Sequence, residues 1–199
     1  MASGNLAGSQ NKAEREGRTF VFVDEAGFYL LPAAVRTYAP QGQTPILRYR
    51  YWEHLSVISA ITPDGKLYTR TQKETFAGPT IVGFLKHLLQ HIRGKLLVVW
   101  DRLPAHRSRV IRDFLSSGGT ERIHLAQLPS YAPDLNPDEG VWNYLKRVEL
   151  KNICCHSIAE LRAELRKAIA RLRHKVSVIQ GFTREVYPDL ALSSLCQGQ

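Results

Sequence analysis

Three carboxylates in this chain stand where carboxylates do chemistry. Asp24 closes TFVFVD, residues 19–24, and Asp101 closes KLLVVWD, residues 95–101. Each follows a run of apolar residues, so each emerges from a buried strand at the edge of the core. The carboxyl ends of α/β strands open onto a crevice, and sites are built there. Glu139 follows SYAPDLNPD, where Pro133 and Pro137 stiffen the approach to a helix start. If the strands ending in Asp24 and Asp101 are neighbours, the three acids converge. Ionised carboxylates at contact raise one another's pKa and call for a cation. Oxygen donors without histidine favour Mg²⁺ or Mn²⁺ over zinc. Two such ions would activate a water or hydroxyl and stabilise the leaving oxygen of a phosphodiester.

Each residue also has a plainer reading. Asp24 and Asp101 are acceptable as ordinary strand-end residues. Glu139 lies three residues after Asn136, with Pro137 at the first helical position, so it suits the reciprocal half of a capping box. Such a cap contributes roughly 1 kcal/mol and needs no catalysis. Three acids at matched topological positions are harder to explain by three separate accidents.

The elements that would position these acids follow from periodicity. TFVFVD is apolar on both faces, as in a strand buried mid-sheet. LSVISAI (55–61) and KLYTRTQ (66–72) form a hairpin through Pro63-Asp64-Gly65. Ile81, Val82, Leu85, Leu88, Leu89 and Ile92 repeat at helical spacing over 79–92, with Pro79 near the start and Gly94 beyond the end. KLLVVWD is a second doubly buried strand. A helix follows through Val110, Ile111, Phe114 and Leu115, stopped by Gly118-Gly119. RIHLAQL (122–128) is a parallel strand, and the proline-rich loop leads into a helix over 137–150. A last helix opens at Ser157, with Glu160 completing a capping box. Its apolar stripe is Ile158, Leu161, Leu165, Ile169, Leu172 and Val176. Three early strands of antiparallel character followed by βα units imply an α/β fold, a mixed five-stranded sheet flanked by helices.

Composition narrows the partner. The chain has 199 residues, enough for one full domain, and a net charge of +9, which suits a polyanion such as nucleic acid. No apolar run is long enough to span a membrane. Three cysteines, two of them adjacent at Cys154 and Cys155, make no disulfide framework, so a reducing cytoplasm is expected. Cys154, Cys155 and His156 lack a second ligand pair at zinc spacing.

VDEAGF (23–28), WDRLPAH (100–106) and LPSYAPDLNPDEGVWNYLK (128–146) resemble the catalytic blocks of DDE transposases, in the bacterial insertion-sequence group allied to Tc/mariner elements. The last block is the most specific, and the resemblance covers roughly residues 19–150. It implies an RNase H-like fold, two Mg²⁺ or Mn²⁺ ions, and DNA strand cleavage and transfer on double-stranded DNA, both element ends and target. It also implies a homodimer when active. Carried over by position, Asp24, Asp101 and Glu139 are the catalytic, metal-ligating acids. Glu25 falls in the same block, but strand alternation points it away from Asp24. His106 matches a histidine of the second block and is expected, with Arg102, Arg107 and Lys146, to contact DNA.

Two departures qualify the resemblance. Arg102 stands where relatives often carry asparagine or another small residue. Relatives also usually carry an N-terminal helix-turn-helix region that reads element ends, and here 18 residues precede the first strand. The expected organisation is a flexible polar lead-in at 1–18, an RNase H-like catalytic domain at 19–180 and a C-terminal tail at 181–199, with end binding supplied by a separate helix-turn-helix polypeptide. The alternatives are a host nuclease of the same fold without strand transfer, and a DNA-binding remnant without catalysis.

Overall fold

The computed structural model describes residues 15–30, 40–42, 53–101, 108–129 and 132–193. The expectations for Arg102, His106 and Arg107 therefore lie outside the described residues. Five strands form one mixed sheet: β1 (Thr19–Tyr29), β2 (His54–Ile61), β3 (Leu67–Gln72), β4 (Leu96–Trp100) and β5 (Ile123–Gln127), in the order β3-β2-β1-β4-β5. β2 lies antiparallel to β1 and β3 antiparallel to β2, whereas β4 is parallel to β1 and β5 parallel to β4. The expected mixed sheet is present, and the strand of Asp24 is indeed the neighbour of the strand of Asp101.

Alternation along β1 divides the core in two. Phe20, Phe22 and Phe28 face one layer, together with Leu97 and Val99 of β4. Val21 and Val23 face the other, together with Leu96, Val98 and Trp100. Both layers are apolar because helices cover both faces, which explains why β1 and β4 read as continuous hydrophobic runs.

The second layer is closed by α1 (Gly78–His91) and α2 (Arg109–Phe114). α1 starts where Thr80 Oγ accepts a bond from the Ala77 N–H at 2.9 Å. At its other end Gly94 takes a positive φ of 81°. There the Arg122 guanidinium donates to the carbonyls of Leu89, Ile92 and Gly94 at 3.1, 2.8 and 2.9 Å. These carbonyls have no partner within the helix, so Arg122 serves as a long-range cap. Gly118, with φ of 110°, breaks the helical path after α2, as Gly118-Gly119 implied.

The first layer is closed by α3 (Asp138–Tyr144), α4 (Ile158–Arg173), α5 (Val176–Val186) and α6 (Pro188–Ser193). α3 runs on through a wider π-type turn over Leu145–Glu149, so the 137–150 helix is present but begins one residue later than expected. α4 opens as read, with Ser157 Oγ accepting from the Glu160 N–H at 3.1 Å. The Glu160 carboxylate reaches back to the His156 N–H at 2.7 Å, one residue beyond the usual partner.

One expectation is corrected. Val176 does not belong to the stripe of α4; it is 46% exposed and opens α5. The chain turns at Lys175, whose backbone leaves the helical region (φ −100°, ψ 60°). Beyond residue 180, α5 passes through Gly181 unbroken, and Thr183 and Leu190 are buried. No described helix is long and apolar enough to cross a membrane.

Candidate active site

β1 and β4 carry two of the acids to the same sheet edge. In their parallel register Phe22 lies opposite Val99, and two residues further along each strand stand Asp24 and Asp101. Adjacent strands lie about 4.8 Å apart, so the two acids emerge side by side. Alternation puts Asp24 on the face of Phe22 and Phe28, and Asp101 on the face of Leu97 and Val99. That is one and the same face, the one covered by α3. Glu25 turns to the opposite face, as expected.

Glu139 arrives on α3. The Pro133–Leu135 turn ends at Asn136, whose side-chain oxygen accepts the Asp138 N–H at 3.3 Å while its carbonyl accepts the Glu139 N–H at 3.1 Å. Asn136 therefore holds the helix start, as expected. Glu139 itself is exposed, and its carboxylate makes no hydrogen bond among the described residues. The capping-box account required a bond back to Asn136, and that bond is absent. The Pro133–Leu135 turn and Asn136 lead into Glu139 without using its side chain.

The electrostatics tie the three acids together. Asp24 is 8% exposed, and its Oδ2 accepts the Trp142 indole N–H at 2.9 Å. Burial pushes its carboxyl up to about 6; the charges of Glu139 and Asp101 push the same way, against the bonds from Trp142 and the Glu25 peptide. Among the described residues no three of His, Cys, Asp or Glu are gathered tightly enough to hold a metal ion. Asp24 and Asp101 leave adjacent strands on the face that α3 covers, and Glu139 stands in the first turn of that helix.

A fourth acid, not singled out in the sequence, lies beneath them. Asp138 is fully buried and its Oδ1 accepts the Ser59 hydroxyl at 2.6 Å. Its Oδ2 has no hydrogen-bond partner. Burial first, then the charge of Asp24, hold this carboxyl well above the usual range despite the Ser59 bond. Burial of this kind favours the protonated form of a carboxyl. One signal was available: Ser59 is a polar residue inside a strand otherwise buried throughout, and such residues need a partner.

Beside Glu139 a cleft of about 610 Å³ opens between the proline-rich turn and α5, lined in part by Asn136, Asn143, Phe182 and Glu185. Lys146, expected to meet DNA, is half-buried with Nζ 5.3 Å from the centre of the Phe28 ring. Cys155 is buried and its thiol is pushed up to about 11, mainly by burial and then by Glu160 and Glu164. A thiol so protonated is a poor ligand and a poor nucleophile.

Residues 19–162 match the family described as DDE superfamily endonuclease. No curated protein matches the chain. Among solved structures, the Mos1 mariner paired-end complex with Mn superposes with a TM-score of 0.69 at 19% identity, over 94% of this chain and 59% of that one. The Mos1 strand transfer complex gives 0.63 at 21% identity, over 92% and 58%. The catalytic domain of Mos1 mariner transposase gives 0.58 at 16% identity, over 93% and 89%. The chain thus spans 58–59% of the length of the Mos1 chains in the first two structures. Its sheet and flanking helices have the RNase H-like fold of that catalytic domain.

Proposed function

The chain belongs to the DDE superfamily of endonucleases, and we propose that it is a transposase catalytic domain that cuts and joins DNA strands with Asp24, Asp101 and Glu139 as its catalytic acids. The observation that supports this reading is the placement of Asp24 and Asp101 at the ends of neighbouring parallel strands, on the face covered by the helix that carries Glu139. A hydrolytic or transfer site for phosphodiesters needs such a cluster of oxygen donors, and an ordinary strand end does not.

The donor set suits hard divalent cations. It is all carboxylate, it lacks histidine, and its mutual repulsion is relieved by positive charge. Mg²⁺ or Mn²⁺, as two ions held by Asp24, Asp101 and Glu139, would activate the attacking water or 3′-hydroxyl and stabilise the leaving oxygen. The residues divide the remaining work. Asp24 is buried and tied to Trp142, so it is the rigid member. Glu139 is exposed and unbonded, so it faces the side from which DNA must approach. Asn136 and the Ser59–Asp138 bond hold the helix start that aims it.

The polyanionic partner is double-stranded DNA, at element ends and at the target, met by Lys146 together with Arg102, His106 and Arg107. Activity as a homodimer, with end recognition from a separate helix-turn-helix polypeptide, completes the assembly. The cytoplasm suits a chain in which Cys154 and Cys155 are thiols and not a disulfide framework.

The test is strand cleavage and joining with Mg²⁺ on DNA carrying candidate element ends. The wild-type chain should yield cut and joined products, and Asp24→Asn, Asp101→Asn and Glu139→Gln should yield neither. Cutting without joining would mark a nuclease of the same fold. Amide variants that cut at the wild-type rate would sink the assignment of the acids.

A further inference from the structure

We propose that Trp142 is a positioning residue for the first acid: its indole N–H sets the orientation in which Asp24 faces Asp101 and Glu139. The inference rests on the reading of those acids as the catalytic set.

The bond joins residues far apart in the chain, with the indole nitrogen 2.9 Å from Asp24 Oδ2 and both partners buried. Shielded from water, such a charge-assisted bond holds its geometry, because leaving either partner unpaired there is costly. Asp24 is 8% exposed, so this bond is made where water has little access to the carboxylate. The bond fixes which carboxylate oxygen turns toward α3.

The donor is itself held. Trp142 packs edge-on to Phe28, with ring centres 6.0 Å apart, and Lys146 covers the Phe28 ring from 5.3 Å. Phe28 lies on β1, on the same face as Asp24. Trp142 also stands three residues after Glu139 on α3, close to one helical turn. The helix that presents the third acid therefore grips the first. A shift of α3 relative to β1 would misplace both acids together, which makes the pair a single gauge of the site.

A tryptophan serving only as core filling would make the same ring contacts without needing its N–H. Two replacements separate these roles: Trp142→Phe, and incorporation of benzothienylalanine at 142, which keeps the bicyclic shape and replaces N–H by sulfur. The readout is Mn²⁺ binding to the whole chain by titration calorimetry, supported by the Mg²⁺ concentration that half-saturates DNA cleavage. Groups that orient metal ligands typically change affinity about 10–100-fold when removed. Both variants should weaken Mn²⁺ binding by at least about tenfold, with maximal turnover largely recovered at high metal. If benzothienylalanine binds Mn²⁺ as tightly as wild type, the N–H positions nothing and the proposal fails, whatever becomes of the phenylalanine variant. If the wild-type chain binds no Mn²⁺ and cuts no DNA, the functional reading fails instead.

Discussion

The Ser59 hydroxyl donates to Asp138 Oδ1 at 2.6 Å, both groups fully buried, across 79 residues of sequence. This bond ties the middle of β2 to the first turn of α3, immediately before Glu139. Removing the hydroxyl leaves a buried carboxyl with neither oxygen satisfied. Ser59→Ala should therefore lower stability by about 1–3 kcal/mol, measured by urea denaturation. The Ser59→Ala/Asp138→Ala double variant should cost less than the sum of the two single changes, because the second removes the group that the first orphans. Strict additivity would show that the bond contributes nothing of its own.

Glu139 and Asn136 should separate function from folding. Glu139 is exposed and its carboxylate holds no bond among the described residues, so Glu139→Gln should change stability by less than about 0.5 kcal/mol while abolishing cleavage. Asn136→Ala removes the oxygen that accepts the Asp138 N–H and should cost about 0.5–2 kcal/mol. Its activity should fall only as far as the helix start loosens. Thermal melts beside the cleavage assay decide it; the reverse pattern would return Glu139 to a capping role.

Glu149 offers a pH-dependent test of how the π-type turn after α3 is anchored. Its side chain is 6% exposed and accepts from Arg171 Nε at 2.6 Å and Lys175 Nζ at 2.9 Å. Burial acts to raise its pKa, but the bonds from Lys175 and Arg171 outweigh it and hold the carboxyl below its ordinary value of 4.5. A depressed folded pKa means that stability is present above 4.5 and lost as pH falls through the lower folded value. Glu149→Gln should thus be less stable than wild type at pH 7, by about 1–2 kcal/mol. The gap should narrow steadily below pH 4.5. A gap independent of pH would mean that shape, not charge, holds the turn.

What was legible in the sequence follows from range. β1 and β4 announced themselves because each is apolar on both faces, and the acids that end them are adjacent to that signal. The approach to Glu139 was legible through its prolines and Asn136. The phase of α3 was harder: Asp138 and Glu139 are neighbours, and one goes wholly inward while the other faces solvent. The partner of the inward one, Ser59, lies 79 residues away on β2. Trp142 finds its partner 118 residues away, and Arg122 caps a helix that ended some thirty residues earlier. Neither pairing leaves a local trace. Val176 continued the apolar spacing of α4 past a break at Lys175 that no glycine or proline marks. The lysine's bonds to Tyr144 and Glu149 are tertiary, at 2.8 and 2.9 Å.

The last prediction concerns Lys146, which has two possible roles on one side chain. Its ammonium lies 5.3 Å from the Phe28 ring centre, a geometry worth about 0.5–1 kcal/mol at a partly exposed site. It also lies in the π-type turn that continues α3, the helix whose first turn carries Glu139. A lysine there can meet a phosphate of the DNA that Glu139 faces. The two roles differ in their dependence on salt. A phosphate contact releases counterions and contributes about 0.9 to the slope of log affinity against log salt, whereas a cation over an aromatic ring contributes nothing to it. The chain's net charge of +9 predicts a steep slope for duplex DNA overall. Lys146→Ala should reduce that slope by about 1 and weaken binding by a similar factor for any sequence. It should lower stability by no more than about 1 kcal/mol. Fluorescence anisotropy with a random duplex at four or five salt concentrations measures the slope. If it is unchanged while the melting temperature drops, Lys146 belongs to the packing over Phe28 and not to the DNA interface.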